Sequence, residues 1–196
     1  MTIEKRPAEH LALAKPILVA TIAHSIQPFA KKVGEPECVP ASYGIILTFP
    51  DGSQRTLNAA VYATCMDQVV CLAIARLLRE FPDFVIHVHC AKNLREYFGP
   101  GGHLRRARRN GGKKANGEPF VGYPMMSPLL DALDANQWVL NVSDNMWDAP
   151  DYVTARCEAD NALTVAVNHH KTVFATEVGI PQKPEVIWEG RFDLPQ

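Results

Sequence analysis

No stretch of this 196-residue chain approaches the ~20 consecutive apolar residues that a bilayer-spanning helix requires, so a helical membrane protein is not expected. The opening MTIEKRPAEH is charged and lacks the apolar centre of a secretory leader, which gives the expectation of a cytoplasmic protein. Cysteine is scarce and odd in number. Cys38, Cys65, Cys71, Cys90 and Cys157 show no C-x-x-C spacing and mostly sit in apolar runs, so reduced, structural thiols are expected and a structural zinc site is not. Net charge is also small, at −1. What is present is a hydrophobic fraction of 47%, enough for one soluble domain with a core of its own.

That near-neutral total hides an uneven distribution. Between Lys92 and Lys114 stand eight Lys or Arg residues and one acid, Glu96, so this segment carries +7 and the remainder of the chain sums to −8. Such a cluster releases counterions from a phosphate backbone, an affinity that needs no base readout. A solvated loop without a partner is the competing reading of any isolated charge run. Phe120 and Tyr123 close by can stack on bases or anchor the loop in the core, and anchoring is the favoured role at a loop-to-helix joint.

Periodicity orders the elements. Ile17 to Ala23 is a continuous apolar run with β-branched members and suits a strand buried on both faces. Tyr43 to Phe49 and Gln54 to Tyr62 flank Pro50-Asp51-Gly52-Ser53, a hairpin signal. Met66 to Glu80 carries apolar residues at helical spacing and ends just before Pro82. Phe84 to Cys90 returns to strand character, Lys92 to Phe98 predicts a short helix, and Leu104 to Arg109 a further helical piece. Ser127-Pro128 reads as a helix start, Trp138 to Val142 as a strand with Trp138 in the core, and Tyr152 to about Asn168 as a last helix. Along that helix Val153, Cys157, Ala159, Leu163 and Val167 form the expected apolar side. The tail from Lys171 has β-rich patches around Val173-Phe174 and Val186-Ile187-Trp188, separated by Pro181 and Pro184.

In this order the chain resembles the ribonuclease H family, of the bacterial type with a basic handle. The resemblance covers roughly residues 16–168. It rests on the opening strand followed by Tyr43-Gly44-Ile45-Ile46-Leu47, on Cys65-Met66-Asp67 at the head of the helix, on the cationic stretch Arg105 to Leu133, and on Cys157-Glu158-Ala159-Asp160-Asn161-Ala162. It implies an α/β fold with a five-stranded mixed sheet flanked by helices and a basic protrusion. Residues 1–15 then form an N-terminal extension, 16–170 the domain and 171–196 a C-terminal extension.

The resemblance also implies four carboxylates around two Mg²⁺ ions that hydrolyse the RNA strand of an RNA/DNA hybrid. Asp67 and Asp160 fall at two of these positions and are the candidate metal ligands. The first-strand position falls on Ala23 and the fourth-strand position on His89, making Asp67, Asp160 and His89 the candidate catalytic set. The loop that offers a mobile histidine in bacterial members reads Val142-Ser143-Asp144-Asn145 here, and Trp147 beyond it can reach substrate or shield the site. A one-residue shift of the first strand would bring His24 in with Asp67, His89 and Asp160, a set better suited to Zn²⁺ or Mn²⁺. Alternation along a strand forbids Ala23 and His24 from both pointing inward. His89, beside its strand neighbour His87, can equally be a structural histidine, while Asp67 has the plain reading of a helix-dipole partner and Asp160 that of a solvated side chain.

The six cations Arg105, Arg106, Arg108, Arg109, Lys113 and Lys114 are the nucleic-acid-binding candidates. The expectation is a nucleic-acid-binding protein, partnered by RNA/DNA hybrid or duplex and weak or inactive as a nuclease. The alternative is an active endoribonuclease using Mg²⁺ or Mn²⁺ in a rearranged site. A domain whose basic loop meets an acidic protein surface is the third reading.

Overall fold

The structure, a computed structural model, describes residues 14–27, 38–90, 94–120, 122–141, 149–175 and 183–193. The loop at 142–145, Trp147 and Lys92 therefore lie outside the described residues.

Three strands open the fold: β1 (Ile17–Ile26), β2 (Val39–Thr48) and β3 (Gln54–Ala63). The turn between the last two behaves as its composition dictates. Asp51 Oδ1 accepts from the Ser53 amide at 2.9 Å and the Ser53 hydroxyl at 2.7 Å, and Gly52 takes the left-handed φ of 83° that the reversal needs. Helix α1 (Met66–Glu80) follows with the bounds its apolar spacing predicts, then β4 (Val85–His89), α2 (Leu94–Phe98), α3 (His103–Arg109), α4 (Tyr123–Asp134), β5 (Trp138–Asn141), α5 (Pro150–Ala175) and β6 (Glu185–Asp193).

The strands form one sheet in the order β5-β4-β1-β2-β3-β6. β1 is its centre, antiparallel to β2 with Ala23 opposite Gly44, and parallel to β4 with Thr21 beside His89. α1 packs on β1 to β4 and makes further contact with α4, whereas α5 packs on β1, β2 and β3. Trp138 is fully buried, its indole N–H donating to the Leu129 carbonyl at 2.8 Å and its ring edge-on to Phe98 at 5.2 Å.

Three expectations need correction. The sheet has six strands rather than five, because the C-terminal patch pairs along β3 with a register shift between Ala60 and Val61. Arg76, buried and donating to the Asn58 carbonyl at 2.8 Å and the Gly190 carbonyl at 3.0 Å, stitches that strand to the sheet. Secondly, α4 begins at Tyr123, with Pro124 in its first turn and Pro128 inside the helix. Pro124 already supplies the preorganised first-turn φ, and Pro128 forgoes one bond within the next turn.

Thirdly, α5 turns inward a face that shares only Ala159 with the expected apolar side. Ala155, Ala159, Ala162 and Ala166 are the buried stripe, while Val153 is 50% exposed and Cys157 is exposed. The cause lies across the interface at Gly44, where a Cβ would stand 2.0 Å from the Ala155 carbonyl oxygen and 2.8 Å from the Ala159 nitrogen. The helix lies so close to β2 that only small side chains fit between them, and the bulkier valines are pushed outward.

Candidate functional site

The C-terminal half of β1 meets α5 through a side-chain bond from the Ser25 hydroxyl to Asp160 Oδ1. Since side chains alternate along a strand, Ser25 and Ala23 face α5 and His24 faces away. The register of β1 on β4 puts Thr21 beside His89, and His87 and His89 share one strand face. Burial holds the His89 imidazole below its ordinary pKa, His87 pushes it further down, and Asp151 at the start of α5 acts in the opposite direction. His24 is likewise lowered, by burial and by Arg156.

Asp160 has a cation of its own. The Arg156 Nε lies 3.2 Å and 3.3 Å from the two Asp160 carboxylate oxygens, and the same guanidinium donates to the His24 carbonyl at 3.0 Å. One arginine thus neutralises the carboxylate and ties α5 to β1.

Asp67 sits in the first turn of α1. The residue that caps the helix is Cys65, with no side-chain bond, and Gln68 accepts from both the amide and hydroxyl of Thr64 at 2.8 Å. Facing Asp67 from α2 is Tyr97, whose hydroxyl acts on the aspartate carboxyl. Burial raises its carboxyl pKa, the Tyr97 bond opposes this, and Glu96 adds repulsion. Tyr97 is in turn pushed up to about 12 by burial and by Asp67. Behind this pair, Cys90 is fully buried, its thiol pushed up to about 12 by burial with Asp67 contributing.

The candidate catalytic residues thus have separate partners: Asp67 has Tyr97, His89 has His87 and Asp151, and Asp160 has Ser25 and Arg156. Among the described residues no group of three or more His, Cys, Asp or Glu side chains is placed to hold a metal ion. Ala23, on the face that Asp160 approaches, offers no ligand atom. The described donor set therefore does not fit a pair of Mg²⁺ ions, which prefer several carboxylate or water oxygens.

The cationic segment folds into something more differentiated than its charge count. Leu104 and Ala107 bury one side of α3. Arg105 and Arg108, three residues apart, lean on α4: Arg105 pairs with Asp134 at 2.6 Å, and Arg108 with Asp131 at 2.6 Å and Asp134 at 3.1 Å. Asp134 is held below the usual carboxylate range chiefly by the Arg105 hydrogen bond. Arg106 and Arg109 share the adjacent stripe. They line a cavity of about 740 Å³ together with Lys113, Lys114, Tyr97 and Phe120.

The turn that brings the lysines round is held by Gly111 and Gly112 at φ 64° and 82°, and by the Gly112 carbonyl accepting from the Phe120 amide at 3.0 Å. Lys114 pairs with Glu118 at 3.3 Å, and Arg106 donates to His103 Nδ1 at 2.9 Å. Phe120 and Tyr123 are both half-buried and pack against the core, Phe120 keeping one side on the groove. Tyr97 joins the two regions, its hydroxyl on Asp67 and its ring 6.3 Å from Phe120. Tyr97, His103, Ser25 and Arg156 were not among the sequence-derived candidates. The four-residue spacing of Arg156 and Asp160 is the one signal that could have found any of them.

The sequence matches no family model and no curated protein. Solved structures do match. A type 1 ribonuclease H with the type 2 active-site motif, LC9-RNase H1, superposes with a TM-score of 0.63 at 12% identity, over 79% of this chain and 75% of that one. The foamy viral protease-reverse transcriptase in complex with dsDNA gives a TM-score of 0.57 at 9% identity, over 78% of this chain and 96% of that one. This is a ribonuclease H-like fold. The PFV RNase H domain in solution matches with a TM-score of 0.50 at 11% identity, over 79% of this chain and 95% of that one. At these identities the ribonuclease H likeness is one of architecture, and the chemistry has to be argued from the side chains.

Proposed function

We propose that this protein binds nucleic acid, RNA/DNA hybrid or duplex, through the groove of α3 and the turn after it, and that hybrid cleavage with Mg²⁺ is poor or absent. The observation that carries the binding is the groove itself. Arg106, Arg109, Lys113 and Lys114 line one cavity with two aromatic rings at its wall, a pairing of phosphate contacts with stacking surfaces suited to a nucleic-acid strand. The ribonuclease H-like fold adds support, because a foamy viral protease-reverse transcriptase solved with an RNA/DNA hybrid matches this fold over 22% of its length. Poor cleavage is supported by Ala23 and by the commitment of Asp160 to Arg156. Five free thiols suit the reducing cytoplasm, the proposed compartment.

A second reading, an active metal-dependent endoribonuclease, is favoured by Asp67. A half-buried carboxyl with a raised pKa beside a cationic groove is the kind of group catalytic sites keep. One panel separates the two readings: binding and cleavage of RNA/DNA hybrid, duplex RNA and duplex DNA with Mg²⁺, Mn²⁺ or Zn²⁺. Salt-sensitive binding without turnover is expected. Turnover that disappears in Asp67→Asn or Asp160→Asn would replace the first reading with the second, and absence of binding to any of the three would refute both.

A further inference from the structure

A second cavity, of about 330 Å³, opens between α5 and β6, with Asn58, Glu158, Asn161, Val165 and Trp188 around it. Beneath it lies an unsatisfied polar atom. Asn58, on β3, is 3% exposed. Its amide nitrogen donates to Glu158 Oε2 at 2.7 Å, while its Oδ1, also buried, has no hydrogen-bond partner among the described residues. A buried carbonyl oxygen left in this way favours any donor that can reach it.

The walls are equally specific. Trp188 and Val165 are both 39% exposed, an unusual degree of display for such side chains around a polar floor. Trp188 is held over Gly190, where a Cβ would come 2.5 Å from the ring carbon Cη2 and 2.3 Å from Asn58 Oδ1. The glycine thus lets the indole and the unpaired oxygen lie together. Glu158 has no ion pair among the described residues and points its carboxylate at the Asn58 amide.

The chemistry of this set is one-sided. A carboxylate and an amide oxygen accept hydrogen bonds, the indole face attracts cations, and Val165 offers a surface to an alkyl stem. Phosphate would be repelled by Glu158. We propose that this cavity is a binding site for a primary ammonium or guanidinium group on an alkyl chain. The cation pairs with Glu158 above the buried, unpartnered Asn58 Oδ1, while the stem lies along Trp188 and Val165. A free diamine and a lysine or arginine side chain of a partner polypeptide share that chemistry.

The test is a titration of the full-length ¹⁵N-labelled protein, following the Trp188 indole N–H and the Asn58 side-chain amide. Three probes are compared: 1,4-diaminobutane, the capped tripeptide Gly-Lys-Gly, and 1-butanol as the uncharged stem. Saturable shifts are expected at both reporters with either cation and none with 1-butanol. Tighter binding of the peptide would assign the source to a polypeptide, and tighter binding of the diamine to a small polyamine. Glu158→Gln preserves shape and should weaken binding at least tenfold. Val165→Arg, a change at an exposed rim position, should abolish it by placing an internal guanidinium in the cavity. Neither variant should alter nucleic-acid affinity at the α3 groove. Non-saturating shifts, an unchanged response in both variants, or 1-butanol binding as well as the diamine would overturn the proposal.

Discussion

The division of labour among the α3 arginines yields the sharpest prediction. Each cation that meets a phosphate contributes about −0.9 to the slope of log K against log salt on duplex DNA. Arg106, Arg109, Lys113 and Lys114 line the groove, so full engagement, with Lys114 exchanging its exposed pair to Glu118 for phosphate, corresponds to a slope of about −3.6 and a loss of about 150-fold in affinity between 50 and 200 mM salt. Arg106→Gln with Arg109→Gln should flatten the slope to about −1.8, leaving a loss of roughly 12-fold over the same range. Arg105 and Arg108 face Asp131 and Asp134 instead. Replacing both with Gln should leave the slope unchanged and lower folding stability by only about 1 kcal/mol, since exposed pairs are screened. Fluorescence anisotropy on one labelled duplex at four salt concentrations, with urea melts of each variant, reads both effects. Equal flattening by the two double variants would refute the assignment, because it would mean that the α4 ion pairs open and all four arginines act alike.

Two further outcomes follow from the packing and electrostatics. Gly44→Ala sets a methyl 2.0 Å from the Ala155 carbonyl oxygen, a backbone atom that cannot rotate away, so α5 must retreat and urea denaturation should show a loss of at least ~3 kcal/mol. A loss below ~1 kcal/mol would mean that the helix is not seated on β2 as described. Asp67 has a raised carboxyl pKa, so its native environment favours the protonated form. Its contribution to stability is complete below the ordinary value of about 3.9 and is lost as pH rises through the native value. Asp67→Asn should therefore stabilise the protein at pH 7, by no more than ~1 kcal/mol given its partial exposure, with the gain gone near pH 3. An identical effect at both pH values would show that the substitution acts through packing alone.

How much of this was legible in the sequence depends on how local each feature is. The bounds of α1 follow from residues within one segment, since Val69, Val70, Ile74 and Leu77 repeat at helical spacing and all are buried. β6 fails that test because its apolar patch is short and follows directly on Pro181 and Pro184, and its strand character comes from pairing with β3 and from the Arg76 bonds. The buried face of α5 was misjudged for a related reason. Hydrophobicity ranks Val153 above Ala155, yet the absent side chain of Gly44 across the interface decides which of them fits. At the candidate site, strand alternation already excluded Ala23 and His24 from pointing the same way. Only the Ser25 contact with Asp160 shows which face is which. The charge of the handle was plain from its composition. The split within it depends on Asp131 and Asp134, more than 20 residues further along the chain.

The separation of binding from cleavage follows from the placement of the same groups. A divalent cation at Asp160 would have to displace a guanidinium that already contacts both carboxylate oxygens and is braced on the His24 carbonyl. It would gain nothing from Ala23. The groove draws on different elements, α2, α3 and the loop from Asn110 to Phe120, none of which contributes to the contact between β1 and α5. Its link to the candidate carboxylates is Tyr97, whose hydroxyl is bound to Asp67 and whose ring forms part of the groove wall. Changes on β1 or α5 can therefore remove metal chemistry without disturbing the cations proposed to hold a phosphate backbone. Conversely, a strand seated against Tyr97 would press on the one candidate carboxylate that the fold keeps half-buried and, among the described residues, without a basic partner.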